Sequence, residues 1–319
     1  MAKKIAGEPV RKAERKLERQ LSRHGVPNAG DTHTAESPGE QTVERRSTRS
    51  IADILAILNA DLEAIPPLAR GEIAAKLAAL PTEIPSRNGV LRFVNINRGS
   101  FGRACTLHTK EPDSIRWIDR MAPGSVFWDI GANVGVFSLY AAQRGDLHVH
   151  AFEPAAVNYY LLTANCELNG FQDVLSCYLL GFSDQTRVAR IEATQFAAAA
   201  SFSFKGNENR PEFAGHYQTC LLFSIDDFLE RFCVPFPNYI KIDVPGLTAE
   251  IFRGAVGALA RPELREIQVE LSEHSKKVQG LLAFIATFGF RIVHRNRRPH
   301  GLVMELVLGR GTGETAEWE

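Results

Sequence analysis

The segment Val126-Phe127-Trp128-Asp129-Ile130-Gly131-Ala132-Asn133-Val134-Gly135-Val136-Phe137-Ser138 carries the most chemically suggestive spacing in the chain. An apolar strand runs into a glycine-bracketed turn and then into a helix. Glycine at 131 and 135 permits a tight bend and lets a ligand approach the peptide groups, while a helix beginning near Val134 presents unpaired N–H donors. Leu147 to Phe152 reads as the next strand and finishes at Glu153. That is about 20 residues past the glycine turn, where a carboxylate accepts hydrogen bonds from the two ribose hydroxyls of an adenosine group. Together these pieces form the first half of a doubly wound nucleoside-binding sheet.

A second group of polar residues falls at later strand ends. Asp243 closes the strand Tyr239 to Val244, on the edge where such sheets bind ligands. A carboxylate there can take or orient a hydroxyl proton, and burial in a cleft would raise its basicity. It can equally cap a helix starting at Leu247 or pair with Lys241, although strand alternation weakens that pairing because Asp243 is already at the turn. Glu270, ending the strand Glu266 to Leu271, and His274 just beyond it face the same rim; an imidazole that titrates near neutrality suits a general base. His216 is a further candidate. No His/Cys/Asp cluster has metal-ligand spacing along the chain, so no metal is expected.

The elements that must position these groups alternate strand and helix: strands Val126 to Ile130, Leu147 to Phe152 and Val174 to Phe182, with helices Val134 to Gln143 and Ala155 to Leu168 between them. Alternation at this spacing means parallel strands joined by crossover helices. Residues 186–225 break the rhythm and read as an inserted hairpin or lid, with Phe202, Phe204, Phe213 and Tyr217 able to cover a bound molecule. Helices Asp226 to Phe232, Leu247 to Leu259 and Ser275 to Phe288 follow with their strands. Phe290 to His294 and Leu302 to Leu308 then close the sheet as an antiparallel hairpin. Upstream, Gly89 to Phe101 and Ala104 to His108 alternate like a β-hairpin, and Asp113 to Arg120 reads as a helix.

At 319 residues and zero formal charge, the chain suits one large α/β domain with extensions, and nothing in its bulk calls for nucleic acid or an anionic membrane. Residues 1–49 read as a disordered charged tail, with 11 Lys/Arg against 7 Asp/Glu in the first fifty positions and few large apolar groups. Residues 50–88 read as a helical lead-in, 89–310 as the α/β domain with its insertion at 186–225, and 311–319 as a C-terminal tail. Five cysteines without a CxxC pair fit a reducing, cytoplasmic setting, and no window approaches the length of a membrane span. Oligomeric state leaves no trace in the sequence.

Thr109-Lys110-Glu111-Pro112, then Asp129-Ile130-Gly131-Ala132-Asn133-Val134-Gly135, then Ala151-Phe152-Glu153-Pro154 with Asn165 and Leu168-Asn169, and finally Lys241-Ile242-Asp243-Val244, resemble the FkbM family of methyltransferases over roughly residues 89–309. The resemblance implies a Rossmann-like, doubly wound, mostly parallel sheet of seven strands and S-adenosylmethionine as methyl donor. It further implies an oxygen acceptor on a small molecule or glycan, such as a sugar, lipid or secondary metabolite. On this likeness Gly131, Asn133, Gly135 and Ser138 lie in the donor turn, Asp129 accepts the donor's ammonium group, Glu153 and Pro154 flank its ribose, and Ser183-Asp184 meets its adenine. Ser183-Asp184 is also ordinary turn chemistry. Thr109 and Glu111 either close over the donor's amino-acid end or merely cap the helix at Asp113.

One departure stands out. The family pattern continues after Asp-Val with an acidic residue, Gly, and another acid two positions later, whereas this chain has Pro245-Gly246 and Thr248. The loss leaves a non-catalytic donor-binding or assembly protein as an alternative. A nicotinamide-dependent oxidoreductase is disfavoured, because Asn133 stands where a dinucleotide turn prefers glycine.

Overall fold

The computed structural model describes residues 66–78, 80–193, 199–200, 203–204, 216–244, 246–272, 276–297 and 303–310. The charged tail, the helix expected after Ser50 and the C-terminal tail lie outside these residues. The chain enters through α1 (Pro67–Ala78), the antiparallel hairpin β1 (Thr82–Ser86) and β2 (Gly89–Phe93), and the helices α2 (Arg98–Cys105), α3 (Leu107–Lys110) and α4 (Pro112–Arg120). The expected hairpin at 89–108 is therefore corrected: its strands are 82–93, and residues 98–110 are helical. Asn97 sets that switch, its side chain accepting from the Ser100 N–H while Ser100 Oγ returns to the Asn97 backbone.

The core follows as β3 (Val126–Ile130), α5 (Val136–Ala142), β4 (His148–Phe152), α6 (Ala156–Leu168) and β5 (Leu175–Tyr178). A side sheet is built by β6 (Gly181–Phe182), β7 (Arg187–Ala193), β8 (Ser203–Phe204) and β9 (His216–Phe223). Then come α7 (Ile225–Arg231), β10 (Tyr239–Ile242), α8 (Thr248–Arg253), α9 (Val256–Ala260), β11 (Glu266–Ser272), α10 (Lys276–Ala286), β12 (Phe290–Arg297) and β13 (Val303–Arg310).

The main sheet has seven strands in the order β12-β13-β11-β10-β3-β4-β5. The five from β11 to β5 are parallel, and β13 and β12 close the edge antiparallel, as expected. Two readings change. The strand expected over 174–182 is two: β5 stays in the main sheet, while β6 crosses to pair with β9. The helix expected over 247–259 breaks at Gly254, where a Cβ would collide with the Ser183 carbonyl oxygen, and Asp226 caps the second piece through the N–H groups of Gly257 and Ala258.

Alternation along the strands sends Trp128, Ile130, Ile240 and Ile242 into one apolar layer and Phe127 and Tyr239 into the other, where Trp117 packs edge-on against both. On that second face, Asp129, Lys241 and Gln268 stand side by side in register near the ligand-binding ends of their strands.

Candidate active site

The glycine turn and the acid beyond β4 form one unit. Gly131 has φ of 88°, and a Cβ there would strike the backbone carbonyl of Asp243, so glycine lets β3 and β10 end in contact. Asn133 also adopts positive φ, and its backbone N–H donates to Glu153 Oε2 at 2.9 Å. Glu153 Oε1 accepts from the Ala155 N–H at 2.8 Å. Burial of Glu153 pushes its carboxyl up to about 7, against the pull of these N–H groups, Asn158 and Arg103.

Gly131, Asn133, Glu153, Pro154, Gly181, Phe182, Asp243 and Val244 line a single cleft, together with Arg103, Ile130, Asn158, Ile191 and Ala200. Ala199-Ala200, from the side-sheet insertion, is fastened there. Asn158 accepts from the Ala199 N–H at 2.7 Å, Asn133 and Asn158 both donate to the Ala200 carbonyl, and Arg103 Nε donates to the Ala199 carbonyl at 3.0 Å. Sequence reasoning missed Arg103 and Asn158. Arg103 lies on α2 and Asn158 on α6, and only the fold brings the two to one cleft. Of the aromatic residues read as a lid, Phe202 and Phe213 lie outside the described residues, and Tyr217 is exposed with Arg190 over its ring.

Other residues singled out in the sequence have different surroundings. Asp129 is buried, accepts from Ser138 Oγ at 2.6 Å and stands beside Lys241 in the sheet, with burial pushing its carboxyl up. Neither Asp129 nor Ser138 lines the cleft. Gly135 caps α5 in the left-handed conformation, close against Leu162. Asn165 and Asn169 clasp β2: Asn165 bonds the Val94 N–H and the Val134 carbonyl, and Asn169 bonds both backbone groups of Arg92. Ser183 is buried against Asp184 and Arg187, away from the cleft lining. Thr109 is exposed on α3. His274 and Pro245 lie outside the described residues; Thr248 opens α8 with its hydroxyl toward the Val244 carbonyl at 3.4 Å.

Asp243, Glu270 and Glu111 converge, each offering a carboxylate oxygen within 4.8 Å of the others. Spacing along the chain could not reveal this convergence, because the three acids are far apart in sequence. Lys241 Nζ lies 3.5 Å from Glu111 Oε2 and 3.6 Å from Asp243 Oδ2. The Lys241–Asp243 pair disfavoured in the sequence reading therefore forms, although β10 ends at Ile242 and Asp243 lies just beyond it.

The methyltransferase FkbM domain profile matches residues 129–292, just over half of the chain, from the strand-end Asp129 through Asp243 and Glu270 to β12. The chain belongs to the FkbM methyltransferase family. Among curated relatives, the hexuronic acid methyltransferase AglP of Haloferax volcanii is 25% identical over 174 residues, covering 54% of this chain and 68% of the relative. The 31-O-demethyl-FK506 methyltransferase FkbM of Streptomyces tacrolimicus is 48% identical over 46 residues, 14% of this chain and 18% of that protein. The crystal structure of an FkbM methyltransferase from Methylobacillus flagellatus superposes with a TM-score of 0.41 at 15% identity, covering 59% of this chain and 44% of that one. The chain thus spans less than half the length of that solved relative.

As an FkbM methyltransferase the protein uses S-adenosylmethionine as donor. The cleft residues fit it chemically: a ribose diol needs a carboxylate acceptor, and Glu153 offers one at the cleft beside the glycine turn.

Proposed function

We propose that this FkbM methyltransferase methylates a hydroxyl oxygen of a sugar, lipid or secondary metabolite, with Glu153 holding the donor's ribose and Asp243 taking the hydroxyl proton. One observation carries the reading: Glu153 and Asp243 line the same cleft, joined by the Gly131 turn that packs on the Asp243 backbone. A nucleoside gripped at Glu153 and a hydroxyl held at Asp243 then share one enclosed space, which is the requirement for transfer between them.

When bound, S-adenosylmethionine supplies an electrophilic methyl group. The chain's own residues provide position and a proton acceptor. Asn133 and Ala155 fix both oxygens of Glu153 through backbone N–H groups, so the acid needs no reorganisation to accept a diol. Asp243 lies partly open to the cleft, with its side chain 27% exposed, and Lys241 holds its inner oxygen. A carboxylate so placed can accept a hydroxyl proton as the oxygen forms its new bond. Two relatives, named for a hexuronic acid and for 31-O-demethyl-FK506, support an oxygen-rich acceptor.

The test is transfer from radiolabelled donor into a panel of polyols, glycosides and polyketides. Turnover should appear with a hydroxyl acceptor and fall about 100-fold or more in Asp243→Asn, the scale of a lost general base, while S-adenosylhomocysteine affinity measured by calorimetry stays level. Transfer to amines alone, or an active Asp243→Asn protein, would refute it.

A further inference from the structure

Lys241 is an unusual residue to find where it is. Its side chain is 6% exposed in the middle of the main sheet, and a buried ammonium is costly unless carboxylates compensate it. The compensation comes from every element around it. Glu111 precedes α4, Asp129 neighbours it on β3, Asp243 follows it beyond β10, and Glu305 on β13 adds its field. Glu270 of β11 completes the three-carboxylate group. The ring of Phe137 covers the ammonium from α5, 4.7 Å from Nζ to the ring centroid.

Glu111 and Asp243 differ in what else holds them. Glu111 is buried, lies 3.2 Å from a Ser114 hydroxyl that it shares with Glu305, and is also met by Lys110. Asp243 leaves the end of its strand and borders the cleft. Three carboxylates this close repel one another, and Asp243, unlike buried Glu111, borders the open cleft. An ammonium in contact with both Glu111 and Asp243 opposes that repulsion.

We propose that Lys241 is a positioning residue for methyl transfer: it bridges the anchored Glu111 to Asp243 and fixes the Asp243 carboxylate toward the acceptor end of the cleft. The inference rests on the reading of Asp243 given above. Lys241 touches neither donor nor acceptor in this role. It acts through Asp243, so its loss should slow the chemical step and leave binding nearly intact.

Two variants test this, Lys241→Met and Glu111→Gln, each checked for a cooperative thermal transition. Glu111→Gln keeps the ammonium in place and decides the matter should Lys241→Met fail to fold. Each should lower kcat at least tenfold, toward the roughly 100-fold loss expected of a misplaced catalytic group, with acceptor KM and S-adenosylhomocysteine affinity within about threefold of wild type. The double variant should be no slower than the worse single one, because both break the same bridge. A folded variant with wild-type kcat, or one that loses donor affinity in step with kcat, overturns the proposal while leaving the Asp243 reading standing. No turnover by wild type across the acceptor panel, or full turnover by Asp243→Asn, removes that reading and this inference with it.

Discussion

The backbone N–H of Asn133 donates to Oε2 of Glu153 across 2.9 Å, tying the glycine turn directly to the acid that ends the next strand. Because Asn133 reaches this position with φ of 55°, turn conformation and carboxylate orientation cannot change independently. Substituting Glu153 with Gln keeps the shape and removes the charge. S-adenosylhomocysteine should bind the variant about tenfold or more weakly by calorimetry, in keeping with charge-assisted bonds of about 1.5–3 kcal/mol.

The same residue makes stability depend on pH. Its carboxyl is raised from 4.5 to about 7 in the folded chain, so the fold favours the protonated form. The stability this contributes is fully present below the unfolded value of 4.5 and is lost as pH rises through about 7. Without donor, the melting temperature of wild type should therefore decline relative to Glu153→Gln over that window. Donor affinity should move the opposite way, rising as Glu153 ionises, because hydroxyl donors favour the charged acceptor. Parallel melting curves for the two proteins would contradict the first expectation.

Asn158 joins the strap to the cleft. Replacing it with Ala leaves the buried Ala199 N–H without its 2.7 Å acceptor and removes one of the two side-chain donors to the Ala200 carbonyl. A loss of about 1–3 kcal/mol is expected for an unsatisfied buried donor, together with faster proteolytic cleavage near residue 199, read by mass spectrometry of limited digests.

Gly131 and Gly124 offer a controlled comparison. Both have positive φ, 88° and 73°, but a Cβ at 124 meets open space, whereas at 131 it meets the Asp243 backbone. Gly124→Ala should cost about 1 kcal/mol in backbone strain, and Gly131→Ala a further 1–3 kcal/mol or so for the forced displacement. Equal chemical denaturation midpoints would show that the contact yields freely.

Ser138→Ala tests whether Asp129 is structural. Removing the 2.6 Å hydroxyl donor should destabilise the fold by about 1–3 kcal/mol. Donor affinity should hold, since neither residue lines the cleft.

The glycine turn, the acid at 153 and the parallel core were legible because each rests on local pattern: apolar runs of strand length, turn glycines and helix-period segments between them. Phe290 to Leu308 announced the closing hairpin in the same way. What escaped depends on residues distant in sequence. β7 and β9 pair across more than twenty intervening positions, so the insertion showed its β tendency without showing a sheet. Lys241 meets Glu111 from 130 positions away, and no spacing rule reaches so far. At 89–108 the alternation was real only through Phe93, and the capping pair Asn97 and Ser100, which starts the helix, lacks the acidic or amide partner that usually marks one.

The chain's departure from the main sheet after Tyr178 has a further consequence. Gly181-Phe182 forms cleft wall and side-sheet edge at once, and the same stretch of polypeptide goes on to supply Ile191 and the Ala199-Ala200 strap. Cleft wall and insertion are therefore one continuous run of chain, so any change in the length of this excursion reshapes the cavity it borders.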